Sequence, residues 1–152
     1  MCSGPIPDYT VVIPVYNNAG SLNQLMQELT ADLFSHYPEL QSEVVFVDDG
    51  STDDSFKHLV ALHEADPVRI RVIKLTRNFG QPSARLAGLR HARGRCVISM
   101  AADGQEPAGV ASEMLSRHLQ QGSQVVIGAR AGRDETWFRK ATSRVFYSLM
   151  RR

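Results

Sequence analysis

Five short apolar runs alternate with five stretches of helical periodicity, and that alternation restricts the chain to a small set of folds. The runs are 9–15, 43–47, 70–75, 96–100 and 124–129. They are mostly continuous rather than alternating in polarity, as strands are when both faces of a sheet are covered. Between the first two, Leu22, Leu25, Met26, Leu29 and Leu33 recur at helical spacing, with Ser21 and Gln24 placed to form a capping box. Asp53 or Asp54 can cap a helix carrying Phe56, Leu59, Val60 and His63, and Pro82 suits the start of a helix with a small-residue face, Ala84, Ala87, Gly88, Leu89 and Ala92. Further helices are expected over 108–120 and 137–152. This order predicts an α/β fold: a mostly parallel, Rossmann-like sheet flanked by helices on both faces, with ligands gathering beyond the carboxyl ends of the strands.

At 152 residues and 43% hydrophobic, the chain fits one domain, 1–152, with an α/β core over 8–130 and a basic amphipathic helix over 134–152. The net charge of +1 gives no strong overall field, and no nucleic-acid partner is expected. The charge is unevenly spread, however. From Arg130 to Arg152 seven basic residues face only Asp134 and Glu135, a local balance of +5. Cys2 and Cys96 stand in an irregular start and a strand, so a disulfide framework is not expected and a reducing compartment fits. No apolar run reaches the roughly 20 residues of a membrane-spanning helix, and the first eight residues lack the pattern of a signal peptide.

Four loops follow predicted strands and should open on one rim: 14–18, 48–53, 78–81 and 101–107. The second begins Asp48-Asp49-Gly50-Ser51, and the fourth reads Ala101-Ala102-Asp103-Gly104-Gln105-Glu106-Pro107. Taken singly, these could be turns and helix caps, since Asp, Gly and Ser are ordinary turn residues. No Gly-x-Gly-x-x-Gly follows the first strand and no Walker A sequence is present, so a nucleotide would need another grip. Carboxylates supply one: they accept bonds from ribose hydroxyls or a base N–H and hold a hard cation that bridges phosphates. A receiver-like signalling domain would want its acidic pair after the first strand, whereas Asp48-Asp49 follow the second.

Together, Val12-Ile13-Pro14-Val15-Tyr16-Asn17, Val47-Asp48-Asp49-Gly50-Ser51-Thr52-Asp53, Arg77-Asn78-Phe79-Gly80 and Asp103-x-Gln105-Glu106-Pro107 resemble the family 2 glycosyltransferases. The nearer resemblance is to the polyprenyl-phosphate branch, the dolichol-phosphate mannosyltransferases and undecaprenyl-phosphate glycosyltransferases. It implies a GT-A fold, a nucleotide-sugar donor (UDP- or GDP-linked), a Mg2+ or Mn2+ ion, a polyprenyl-phosphate acceptor and inversion at the anomeric carbon. By position, Pro14, Tyr16, Asn17, Asp48 and Asp49 would line the nucleoside pocket. Asp103 with Gln105 would hold the metal, and Arg130 would contact the pyrophosphate. No residue of the chain matches the family's catalytic base, which is expected beyond Arg152.

Two departures weaken the acidic character of the site. The family's Asp-Ala-Asp loop is Ala101-Ala102-Asp103 here, and its Asn-Glu after the first strand is Asn17-Asn18. A module that holds a nucleotide-sugar without turning it over is therefore the alternative function. The stretch 137–152 carries Trp137, Phe138, Val145, Phe146, Leu149 and Met150 among arginines and a lysine. That composition suits a helix lying on anionic lipid, which would make the protein peripheral to the cytoplasmic face of a membrane; it equally suits a helix that covers a core. A homo-oligomer is left open.

Overall fold

The structure, a computed structural model, describes residues 6–128. Four strands and four helices alternate: β1 (Tyr9–Val15), α1 (Leu22–Asp32), β2 (Ser42–Asp48), α2 (Ser55–Ala65), β3 (Ile70–Lys74), α3 (Gln81–His91), β4 (Cys96–Ser99) and α4 (Ala108–Gln121), with a short 3-10 turn at Phe34–His36. All strand pairs are parallel and the order is β3-β2-β1-β4. The chain therefore builds outward from β1 through β2 to β3, then crosses back to lay β4 on the other side of β1. Such a reversal opens a crevice between β1 and β4 at the carboxyl ends of the strands.

Burial explains why the central strands are written as continuous apolar runs. Every residue of β1 is buried, as are six of the seven in β2. One face, carrying Val11, Ile13, Val44 and Phe46, packs with Leu22, Leu25 and Leu29 of α1, Leu59 of α2 and Leu115 of α4. The other face, with Val12, Val45 and Val47, meets α3 through Ala84. Full burial of each such Val, Leu or Phe contributes about 1.5–3 kcal/mol. A Cβ built at Gly88 would collide with Val12 Cγ1, so only glycine lets α3 lie this close to β1. The small-residue face expected for this helix is what makes the thin second layer possible.

At the amino ends of the strands a single buried carboxylate ties the sheet together. Glu43, 1% exposed, accepts hydrogen bonds from Thr10 Oγ1 (2.8 Å), Arg71 Nη1 (3.0 Å), Arg93 Nε (2.7 Å) and the Arg93 backbone N–H (3.0 Å). The Gly94 N–H in turn donates to Thr10 Oγ1 at 2.8 Å. Burial would raise the Glu43 pKa, but these donors outweigh it and hold the carboxyl below its ordinary 4.5.

Two sequence expectations are corrected. Residues 124–128, the described part of the fifth predicted strand, join no ladder, and Val125 and Ile127 are 78% and 82% exposed. A β-branched run becomes a strand only when an edge pairs with it, and β4 pairs only with β1 among the described residues. The capping box at Ser21 and Gln24 does not form either. Ser21 Oγ instead donates to Asn18 O (3.1 Å) and to Ala102 O (2.7 Å), while Gln24 bonds Glu28. The tertiary bond wins, and it pins the start of α1 to the acidic loop after β4. The expected helix over 137–152 and Arg130 lie outside the described residues.

Candidate functional site

The four strand-end loops do open on one rim, and a cavity of about 180 Å³ lies among them at the reversal of strand order. Its walls come from Pro14, Val15 and Tyr16 at the end of β1, Asp49 after β2, Asn78, Gly80 and Gln81 leading into α3, and Ala101, Ala102 and Asp103 after β4. Each loop is shaped by its own local chemistry. Gly50 adopts φ +69°, and a Cβ there would sit 2.5 Å from the Arg77 backbone carbon, so glycine is required where the second and third loops touch. Gly80 adopts φ +89° immediately before α3, letting the chain turn into the helix beside the cavity.

The two carboxylates at the end of β2 have different surroundings. Asp49 lines the cavity; its Oδ1 accepts the Phe79 backbone N–H at 2.8 Å, which fixes the third loop, and its other oxygen carries no hydrogen bond among the described residues. Asp48, fully buried, is not on the wall. Its Oδ1 meets the Ser51 N–H at a long 3.4 Å and its Oδ2 has no partner among the described residues. Strand alternation turns adjacent side chains to opposite sides, so only one of the pair can face a ligand directly. Asp49 occupies that position, with Asp48 lying away from the wall.

Asn17 holds the loops rather than the cavity. It takes the left-handed conformation at φ +53°, and its Oδ1 accepts the Thr52 N–H at 2.9 Å while its own N–H donates to Ser51 Oγ at 3.1 Å. Asn18 adds a bond from its N–H to Ser55 Oγ at 2.8 Å. Asp53 completes the latch: its Oδ1 accepts from Ser55 N–H (2.9 Å) and its Oδ2 from Ala19 N–H (3.2 Å). The bond from Ser55, followed by those backbone donors, lowers the Asp53 pKa. Asn18, which stands where the family motif has an acidic residue, lines the cavity and with Asn17 closes the first loop on the second.

Asp103 lines the cavity, exposed, with Oδ1 accepting the Gln105 N–H at 3.0 Å. Gln105 borders a second, larger cavity of about 950 Å³ that wraps the outer edge of β4. The two residues expected to share a metal therefore stand on different cavities. Glu106 folds the loop back, its Oε2 accepting the Ala101 N–H at 2.9 Å. Among the described residues no three His, Cys, Asp or Glu side chains are grouped as a metal cage. One carboxylate beside a phosphate-sized cavity still fits a magnesium-like ion, which binds through one or two carboxylates, waters and substrate phosphates rather than through an all-protein shell.

Arg85 is a candidate that the sequence reading passed over. One turn into α3, it borders the larger cavity with Ser99 and Glu106, and its buried Nε has no hydrogen-bond partner among the described residues. The available signal was its setting, a lone cation amid Ser83, Ala84, Ala87 and Gly88, where each neighbour is small enough for close packing. Arg77 stacks its guanidinium 4.8 Å from the Phe79 ring centroid instead of facing the cavity wall. Cys96, half-buried on the larger cavity, has its thiol pushed up by burial and by Asp8, as suits an inert thiol.

Solved structures share the fold. TarS 1-349 from S. aureus in complex with UDP-GlcNAc superposes with a TM-score of 0.64 at 24% identity, covering 83% of this chain and 37% of that one. The mannosyltransferase PcManGT from Pyrobaculum calidifontis, in complex with GDP-Man and Mn2+, gives 0.63 at 24% identity and covers 87% and 37%. GalNAc-T7 with UDP, GalNAc and Mn2+ gives 0.53 at 22% identity, covering 64% and 18%. The chain thus spans less than two-fifths of the length of each. These likenesses establish the GT-A type of α/β fold, and the family model for Glycosyl transferase family 2 matches residues 10–152, so this chain belongs to that family.

Proposed function

We propose that the chain is the donor-binding part of an inverting glycosyltransferase that moves a sugar from a UDP- or GDP-sugar to a polyprenyl phosphate at the cytoplasmic face of a membrane. The observation that carries the donor half is the cavity at the strand reversal, with Asp49 and Asp103 on opposite walls. Asp49 accepts from a base N–H or ribose hydroxyl through its unbonded oxygen, while Pro14 and Tyr16 bound the nucleoside. Asp48 acts by shaping the end of β2, and Asn17 by closing its loop. At the start of α3 the Gly80 N–H is bonded to Asn78 Oδ1, Pro82 has no N–H and Ser83 N–H is bonded to Gly80 O, so the Gln81 N–H is the backbone donor left for a phosphate at the cavity edge. Arg85 and Arg130 are the cations assigned to negative charge on the donor or acceptor.

Asp103 would hold Mg2+ or Mn2+ with waters and the donor's phosphates completing the shell, while Gln105 borders the other cavity. Bound there, such an ion supplies positive charge against which the nucleoside diphosphate leaves. The Mn2+ in the PcManGT and GalNAc-T7 complexes supports this role, as UDP-GlcNAc and GDP-Man in their complexes support a nucleotide-sugar donor. The lipid acceptor rests on the composition of 137–152 and on the branch resemblance.

Transfer of radiolabelled sugar from UDP- and GDP-sugars into a polyprenyl-phosphate extract, with Mn2+ present, tests the reading. Label in the lipid phase, lost in Asp103→Ala, is the expected result; no transfer from any donor rejects it for this chain. The single acidic residue in Ala101-Ala102-Asp103 favours the second reading, a module that binds donor without turnover. Binding by calorimetry with no transfer would establish that reading instead.

A further inference from the structure

A UDP-sugar and a GDP-sugar differ in the base, and three side chains on the cavity wall distinguish the two. The strand order β3-β2-β1 sets the loops that follow these strands in the same order along the rim. Asn78 after β3, Asp49 after β2 and Asn18 after β1 therefore succeed one another across the cavity they all line. Asp49 stands in the middle. Its Oδ1 is taken by the Phe79 N–H, which leaves one carboxylate oxygen, a group that only accepts.

Both flanking asparagines are turned the same way by their own loops. Asn78 Oδ1 accepts the Gly80 N–H at 2.9 Å, and Asn18 Oδ1 accepts the Tyr16 N–H at 3.2 Å. Each carbonyl end is thus committed to backbone. The amide NH2, which makes no hydrogen bond among the described residues, is the end left for a ligand. Along the rim the wall offers donor, acceptor, donor. Tyr16, 44% exposed on the same wall, adds a ring on which any base can stack, so it contributes affinity without choice.

We propose that Asn78, Asp49 and Asn18 select a base with the edge of uracil, and hence a UDP-linked sugar as the donor. Uracil presents acceptor, donor, acceptor through O4, N3–H and O2, the complement of the wall, and the pattern is the same in either direction. Guanine presents O6, N1–H and an amino group, so one asparagine NH2 always faces another donor. Cytosine has the size of uracil but sets the lone pair of its N3 against the Asp49 oxygen. Leaving desolvated polar groups without partners is what a hydrogen-bonding site penalises most. The assignment rests on the cavity being a nucleotide site and goes beyond it by naming the base.

Calorimetric titration of UDP, CDP and GDP into the whole 152-residue chain with Mn2+ tests it. UDP should bind about tenfold or more tightly than either CDP or GDP. Because UDP and CDP match in size and charge, their ratio reports the hydrogen-bond pattern alone. Asn78→Asp keeps an acceptor for the Gly80 N–H but exchanges the donor on the wall for a second acceptor, which suits the amino group of cytosine. It should weaken all three nucleotides through its charge and cut the preference for UDP over CDP about tenfold. CDP or GDP bound as tightly as UDP would overturn the base assignment and leave the nucleotide site standing. A UDP-to-CDP ratio unchanged in Asn78→Asp would overturn it as well, whereas binding of none of the three rejects the nucleotide site itself and the assignment with it.

Discussion

The two ends of β2 each bury a carboxylate, and they use it in opposite ways. At the amino end Glu43 is saturated by four donors from β1, β3 and the segment before β4. At the carboxyl end Asp48 has one long bond and an oxygen with no partner, and Asp49 spends one oxygen on a loop and leaves the other unbonded beside a cavity. A buried charge whose every lone pair is met has become part of the scaffold. One left partly unmet carries a desolvation cost of about 1–3 kcal/mol that folding alone does not offset. The contrast separates the end that holds the sheet from the end to which the proposed function assigns a ligand.

The contrast can be broken most severely at Glu43. Glu43→Ala removes the partner of Arg71 and Arg93, both about a third or more exposed and so able to rehydrate. The loss should therefore sit near the lower bound for a broken buried pair, about 3 kcal/mol, read by urea or thermal denaturation. Asp49→Ala should act the other way round. It forfeits one loop bond, about 1 kcal/mol of stability, yet lowers nucleotide-sugar affinity by about tenfold or more, as calorimetry would report.

Asp48→Asn sharpens the comparison with a smaller change of opposite sign. Removing an uncompensated buried charge at constant shape should raise stability by about 1 kcal/mol and leave donor affinity within about twofold. A large affinity loss would move the nucleoside contact from Asp49 to Asp48. The gentlest probe is acid. Because the Glu43 pKa in the folded protein lies below its unfolded value of 4.5, its contribution is fully present above that value and is lost as pH falls through the lower, folded pKa. Glu43→Gln should flatten that acid limb of the stability curve.

The sheet was legible because local and global signals agreed. β1 to β4 are apolar runs that each find at least one parallel neighbour, and the turn residues between them stand where the loops need them. Residues 124–128 carry the same local signal, but pairing depends on a distant edge that composition does not report. Ser21 shows the same limit: the sequence offers a capping partner three residues away, while the structure uses Ala102, 81 residues away. The Glu43 cluster was invisible for that reason, since its side-chain partners lie 28 to 50 residues distant. At the site the sequence pattern named four loops that the structure brings to one rim, and two of its acids, Asp49 and Asp103, line the cavity between them while Asp48 does not. Which of Asp48 and Asp49 faces the cavity follows from strand pleat at one residue's resolution, and boundaries read from pattern are coarser than that.

The central claim, that the carboxyl end of the sheet is a metal-assisted nucleotide-sugar site read by Asp49, is tested most directly by isothermal titration of UDP- and GDP-sugars into the chain with Mn2+ and with chelator, for the parent and for Asp49→Ala. The account predicts heat with at least one donor that depends on Mn2+ in the parent and falls at least tenfold in affinity in the variant. No heat with either nucleotide, or identical affinities for parent and variant, would contradict it.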